Sequence, residues 1–170
     1  MRTAVVVGNP KPASRTLGAA IAVADAVAAE FGPEFGAGER LVVDLAEHAG
    51  DLFDAGALRL SQLTAQVASA ALIIAASPTY KATYTGMLKA FFDRYGSDGL
   101  AGSVAVPLMT GGAPVHALAV EVHLRPLLVE LGATVPTRGL YVTEPEFADL
   151  GPAIGRWSDA AFPLLGHALR

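Results

Sequence analysis

The sequence contains no cysteine. That excludes disulfides, thiolate zinc sites and thiol nucleophiles, and it fits a reducing compartment. Charge is sparse as well: 16% of residues are charged and 52% hydrophobic, where about a quarter charged is ordinary. The net charge of −4 provides no basic field, which excludes a general attraction to nucleic acid or to an anionic membrane surface. An anion must therefore be gripped by a local site. No apolar run approaches the ~20 residues of a membrane span, and the opening TAVVV is too short and too β-branched for a signal-peptide core. GxxxxGK[ST], GxGxxG and GxSxG are all missing, and no His, Asp or Glu grouping has metal-ligand spacing. The expectation is one cytoplasmic domain over residues 1–170, without a metal, whose excess of apolar surface is covered by another subunit.

What is present is a regular alternation. Short β-branched runs at 3–7, 40–44, 71–76, 103–108 and 135–142 read as strands. Alanine- and leucine-rich segments at 14–30, 56–69, 84–95, 114–131 and 146–168 read as helices. Apolar strands without in/out alternation are buried on both faces, which implies a parallel sheet covered by helices. The pattern predicts a flavodoxin-like, doubly wound α/β fold with strand order 2-1-3-4-5.

In such a sheet, ligands sit beyond the carboxyl ends of the strands, where the strand order reverses. Three unusual loops should meet there. The first, GNPKPASRT (8–16), places Ser14, Arg15 and Thr16 at the head of a helix. Unpaired N–H groups, the helix dipole, two hydroxyls and a guanidinium together make a phosphate cradle, although Ser14 taken alone is equally an ordinary N-cap. The second loop, SPTYKATYTG (77–86), offers Pro78, Thr79, Tyr80 and Lys81: a stiffened backbone and an aromatic face. The third offers Thr110, Gly111 and Gly112, where a ligand can approach bare backbone, so a side chain at Gly111 is expected to fill ligand space. A phosphate site at one end and rigid backbone at the other suit a mononucleotide with a flat heterocycle, FMN rather than NAD as the tightly held group. Asp44, His48 and His167 read as structural, capping or solvated groups, whereas His116 stands where it could reach a ligand.

GNPKPASRT, SPTYKATYTGMLKAFFD and TGGAPVHALAVEVHLRPLLVELGA resemble the NADPH-dependent FMN reductase family. Within it, the likeness is to the reductases that feed reduced flavin to two-component alkanesulfonate-type monooxygenases. The resemblance implies hydride transfer from NADPH or NADH to FMN, with Ser14, Arg15 and Thr16 on the phosphate. Pro78, Thr79, Tyr80 and Lys81 would line the isoalloxazine, with Thr110, Gly111 and Gly112 on its far side. It implies free flavin and nicotinamide as small-molecule partners, and a flavin-dependent monooxygenase as a protein partner. No catalytic side chain is required, because the flavin carries the chemistry. Two positions depart from the pattern: Asn9 stands where many members have serine, and Glu121-Val122-His123 where some sulfonate-system members have a tyrosine. Alternatives within reach of the same residues are a bound-FMN quinone, azo-dye or chromate reductase and a flavodoxin-like electron carrier.

The segment 115–131, VHALAVEVHLRPLLVEL, is apolar nearly all round. Such a helix is buried on more than one side, which predicts a homodimer or homotetramer interface. Pro126 cannot donate to the carbonyl of Val122, so a distorted turn is expected around 122–126. That turn is expected to bring His123 near the flavin of the same or a neighbouring subunit.

Overall fold

The computed structural model describes residues 3–36, 38 and 40–170. Five parallel strands form one sheet in the order β2-β1-β3-β4-β5, with β1 at Thr3–Val7, β2 at Arg40–Asp44, β3 at Leu72–Pro78, β4 at Val104–Gly111 and β5 at Leu140–Thr143. This is the predicted flavodoxin-like topology. Ala4, Val6, Ile73 and Ala75 face one apolar layer with Leu88, Phe91 and Leu124. Val5, Val7, Ile74 and Ala76 face the other with Val23, Val27 and Trp157. Both faces of each central strand are therefore apolar, which is why the strands showed no alternation.

Helix α1 (Arg15–Phe31) and helix α5 (Gly151–Ala168) cover one face; α2 (Leu58–Ala68), α3 (Gly86–Phe92) and α4 (Arg125–Glu130) cover the other. No helix among the described residues is long and apolar enough to cross a membrane.

The fifth strand is shorter than its β-branched sequence suggests. The run 135–142 reduces to Leu140–Thr143, because residues before it spend their backbone groups elsewhere. The Arg125 guanidinium donates to the carbonyls of Val135, at 2.6 Å, and Thr137. The Gly139 N–H donates to Glu121 Oε1 at 2.5 Å, and Glu121 Oε2 in turn accepts from Arg125 Nε at 2.9 Å. Pro107, inside β4, matches this early end. Alternate N–H groups of a parallel strand face the same neighbour, and Ala105 donates to Thr134 on the β5 side, so Pro107 lacks its N–H on that side. The Arg138 carbonyl nearby accepts the Trp157 indole N–H at 2.9 Å instead.

The predicted helix 114–131 is broken into a 3₁₀ turn at Pro114–His116, a π-helical turn at Val120–Leu124 and α4. The Arg125 N–H reaches back five residues to the Val120 carbonyl, so the widened turn lies where Pro126 withdraws a donor. The predicted closing helix 146–168 likewise splits into a 3₁₀ turn at Glu144–Ala148 and α5. His48, expected to be solvated or capping, is instead buried. The 3₁₀ turn Leu45–His48 puts Leu45 and His48 three residues apart, hence on one side, and both turn inward.

Candidate functional site

Four loops at the carboxyl ends of the strands enclose a pocket of about 380 Å³. It is lined by Asn9, Lys11, Ala13, Ser14, Arg15, Thr16, Pro78, Thr79, Tyr80, Thr110, Gly111, Gly112, Glu144 and Phe147. All the site residues expected from the sequence are there except Lys81.

The first loop is held in an unusual shape by a carboxylate from β2. Ala13 has φ of 48°, a left-handed conformation uncommon for a residue with a Cβ. Its N–H donates to Asp44 Oδ2 at 3.0 Å, while Asp44 Oδ1 accepts from the Ala46 N–H at 3.3 Å. The acid that ends β2 is thus spent on fixing the loop, where a dinucleotide fold would use it on a ribose hydroxyl. Asn9 adds a second tie: its Oδ1 accepts from the Lys11 N–H at 2.9 Å and its Nδ2 donates to Thr16 Oγ1 at 3.1 Å.

Ser14 is the N-cap of α1, accepting from the Leu17 N–H at 3.2 Å. Its capping role uses a lone pair and leaves the hydroxyl proton for a ligand. Thr16 is buried and shares a hydrogen bond with Thr110, their Oγ1 atoms 2.9 Å apart, joining the head of α1 to the end of β4. Arg15 turns across the mouth of the pocket: its Nη2 lies 2.9 Å from Glu144 Oε1 and its guanidinium stacks 4.8 Å from the centre of the Phe147 ring.

The second loop begins with Thr79, whose N–H donates to the Thr110 carbonyl at 2.7 Å. The Thr79 Oγ1 is buried with no hydrogen-bond partner among the described residues. Orphaned buried hydroxyls are uncommon; Thr79 lines the pocket, while its Oγ1 is closed off from the open space. Tyr80 and Thr83 exchange backbone hydrogen bonds of 2.9 and 3.2 Å around Lys81 and Ala82, which have φ of 52° and 67°. This tight left-handed turn leaves Tyr80 on the pocket wall and Lys81 outside it.

Gly111 and Gly112 differ. A Cβ on Gly111 would overlap the Tyr141 hydroxyl and lie 2.9 Å from its Cζ. Its missing side chain therefore makes room for Tyr141, so a side chain there would press on Tyr141 before it filled ligand space, while the Gly111 backbone lines the pocket. A Cβ on Gly112 meets nothing within 4 Å among the described residues, so Gly112 presents bare backbone that a ligand can approach.

Glu144 and Phe147 were missed by sequence reasoning. They follow β5, whose end lies at the same sheet edge, but the sequence places Phe147 inside the expected helix 146–168 and Glu144 just before it. His116 and His123 are exposed and do not line the pocket.

The sequence profile of the NADPH-dependent FMN reductase family matches residues 1–147. The chain is 38% identical over 97 residues to an FMN reductase (NADPH) of Escherichia coli, covering 57% of this chain and 50% of that protein. It is 34% identical over 113 residues to the NADH-dependent FMN reductase SfnE of Pseudomonas putida, covering 61% of each. The match thus spans between half and about three-fifths of the length of these curated relatives. Among solved structures, an NADH:FMN oxidoreductase (EMOB) superposes with a TM-score of 0.74 at 27% identity, covering 92% of this chain and 87% of that one. An oxidoreductase from Corynebacterium diphtheriae gives 0.75 at 29% identity, with 93% of both chains covered. With the fold, the crevice at the strand-order reversal and the profile match in agreement, the chain belongs to the NADPH-dependent FMN reductase family.

Proposed function

We propose that this chain is an NAD(P)H-dependent FMN reductase that takes FMN in the four-loop pocket. The observation that carries the reading is a built cradle: the head of α1 with Ser14, Arg15 and Thr16 shares one pocket with Thr79 and the open backbone of Gly112. The phosphate belongs at the helix head, where N–H groups, hydroxyl protons and a guanidinium converge. The flat ring system belongs between Pro78, Thr79 and Tyr80 on one side and the 110–112 segment on the other. FMN, when bound, supplies the hydride-accepting chemistry. The chain's own residues hold and orient it: Asp44 and Asn9 fix the cradle, the Thr16–Thr110 pair locks the helix head to the sheet, and Thr79 forms part of the wall.

Steady-state turnover with NADH and with NADPH, each with and without added FMN, tests the reading. Saturation in added FMN supports a reductase that treats flavin as substrate and passes it on reduced, as supply to a partner monooxygenase would require. A yellow protein indifferent to added FMN supports a bound-flavin reductase of quinones or dyes. No nicotinamide oxidation leaves an electron carrier and overturns the reductase reading. In the same assays, Gly112→Val is expected to keep the fold and weaken FMN about tenfold or more, since overpacking costs roughly 1–3 kcal/mol. Unchanged FMN quenching in the folded variant would place the ring elsewhere.

We also propose a homo-oligomer built on the face that carries the π turn. Val115, Leu118, Val122 and Val129 are 80%, 71%, 56% and 53% exposed and recur at helical spacing. A row of large apolar side chains left to water marks an interaction surface. His123 lies outside this chain's own pocket, so the proposal brings it only to a neighbouring subunit's flavin. Light scattering behind size exclusion is expected to give a dimer or tetramer for the native chain and a monomer for Val122→Glu. A native monomer at micromolar concentration overturns the interface.

A further inference from the structure

The guanidinium of Arg15 already has an anion. Glu144 Oε1 lies 2.9 Å from its Nη2, and Phe147 provides a ring beneath it at 4.8 Å. Both partners come from the turn after β5, with Glu144 129 residues away from Arg15 in the chain. That turn is firmly built. The Thr143 N–H and hydroxyl donate to Glu146 Oε2 at 2.8 and 2.7 Å, and Arg156 donates to Glu146 Oε1 at 2.7 Å. These donors hold the Glu146 carboxyl below the usual carboxylate range, with the Thr143 backbone N–H as the largest cause. The frame that carries Glu144 is thus fixed, whereas its carboxylate bonds only to Arg15 among the described residues. A rigid turn therefore presents a negative charge to the pocket in which a phosphate is to bind.

Resting on the FMN reading above, we infer that Glu144 is a resident counter-anion. It competes with the flavin phosphate for Arg15 and so keeps FMN exchangeable. The incoming phosphate either displaces Glu144 from the guanidinium or shares the guanidinium with it, and both arrangements bring two anions together. The Arg15 and Glu144 side chains are 64% and 58% exposed, so water screens the repulsion and the penalty is moderate. A penalty of this kind is worth roughly three- to tenfold in affinity. Riboflavin has the same ring and ribityl chain without the phosphate, so Glu144 does not oppose it. The carboxylate therefore narrows the preference for FMN over riboflavin. A reductase that hands its flavin onward gains from that: most affinity differences at one site appear in the dissociation rate.

The test is a fluorescence-quenching titration of FMN and of riboflavin against the native chain, Glu144→Gln and Glu144→Lys, with stopped-flow release of FMN. Far-UV circular dichroism confirms that each variant is folded. The expected result is an FMN Kd about three- to tenfold lower in Glu144→Gln and lower again in Glu144→Lys. Riboflavin is expected to move less than about twofold, and FMN release to slow in step with its affinity. If both variants bind FMN no more tightly than the native chain while Arg15→Ala still loses FMN selectively, the cradle stands and the counter-anion role is overturned. If Arg15→Ala affects FMN and riboflavin alike, the cradle reading fails and takes this inference with it.

Discussion

Arg15→Ala is expected to weaken FMN about 10- to 100-fold and to leave riboflavin within about twofold. Only FMN carries the phosphate that a guanidinium at the head of α1 can hold, and a charge-assisted hydrogen bond is worth roughly 1.5–3 kcal/mol. The loss should lie toward the upper end, because the variant also leaves Glu144 without its 2.9 Å partner, facing the phosphate. Arg15→Lys keeps the charge and loses the planar fork that stacks on Phe147, so an intermediate loss is expected. The fold should be indifferent to either change, since an ion pair this exposed adds little stability. Quenching titrations at two salt concentrations are the measurement: the difference between the flavins should shrink as salt screens the site. Equal losses for both flavins would make Arg15 structural and remove the phosphate from the helix head.

Much of this arrangement was legible because it depends on local rules. The bounds of β1 and β2 follow from β-branched runs closed by Gly8 and Asp44, and the observed strands end there or one residue short. The widened turn at Val120–Leu124 was legible from Pro126, because a missing donor acts on the carbonyl four residues earlier whatever the tertiary setting. What escaped depends on side chains that meet only in the folded state. The β-branched character of 135–142 is genuine, but Arg125 and Glu121, on the preceding helical segment, take the backbone groups that the ladder needed. Tyr141 fills the space beside Gly111, so the room its missing side chain leaves is assigned only once β5 is placed beside β4, although its backbone lines the pocket. The Arg15–Glu144 pair spans 129 residues and has no local signature at all. Lys81 was carried in with its loop, and the left-handed turn at Lys81 and Ala82 then put it outside the pocket.

Gly8→Ala is expected to destabilise the chain by about 3 kcal/mol, the largest effect on stability foreseen for one methyl group. Gly8 directly follows β1, and its N–H donates to the Ala76 carbonyl at 2.8 Å. A Cβ there would overlap Leu88 Cβ and lie 2.9 Å from Leu88 Cα and 3.0 Å from Leu88 N. Those are backbone atoms of α3, not the far end of a flexible side chain, so rotamer changes cannot relieve the clash. Moving α3 strains a chain of buried hydrogen bonds. Thr85 Oγ1 donates to the Gly8 carbonyl at 2.5 Å and accepts from the Leu88 N–H at 3.1 Å, while the Thr85 N–H donates to Ser77 Oγ at 3.0 Å. Leu88 itself is wholly buried, so the shift also opens the core beneath it. At roughly 2–4 °C per kcal/mol for a chain of this size, the melting temperature should fall by about 6–12 °C. Gly18→Ala is the control: it lies on the exposed side of α1 with nothing within 4 Å of a new Cβ, and it should stabilise by roughly 0.5–1 kcal/mol. The two glycines thus predict shifts of opposite sign from the same substitution. Since the first and second loops of the pocket both rest on the Gly8–Thr85–Ser77 contacts, FMN affinity should fall in Gly8→Ala and stay level in Gly18→Ala. A Gly8→Ala melt within about 2 °C of the native chain would mean that β1 and α3 stand further apart than their contact here requires.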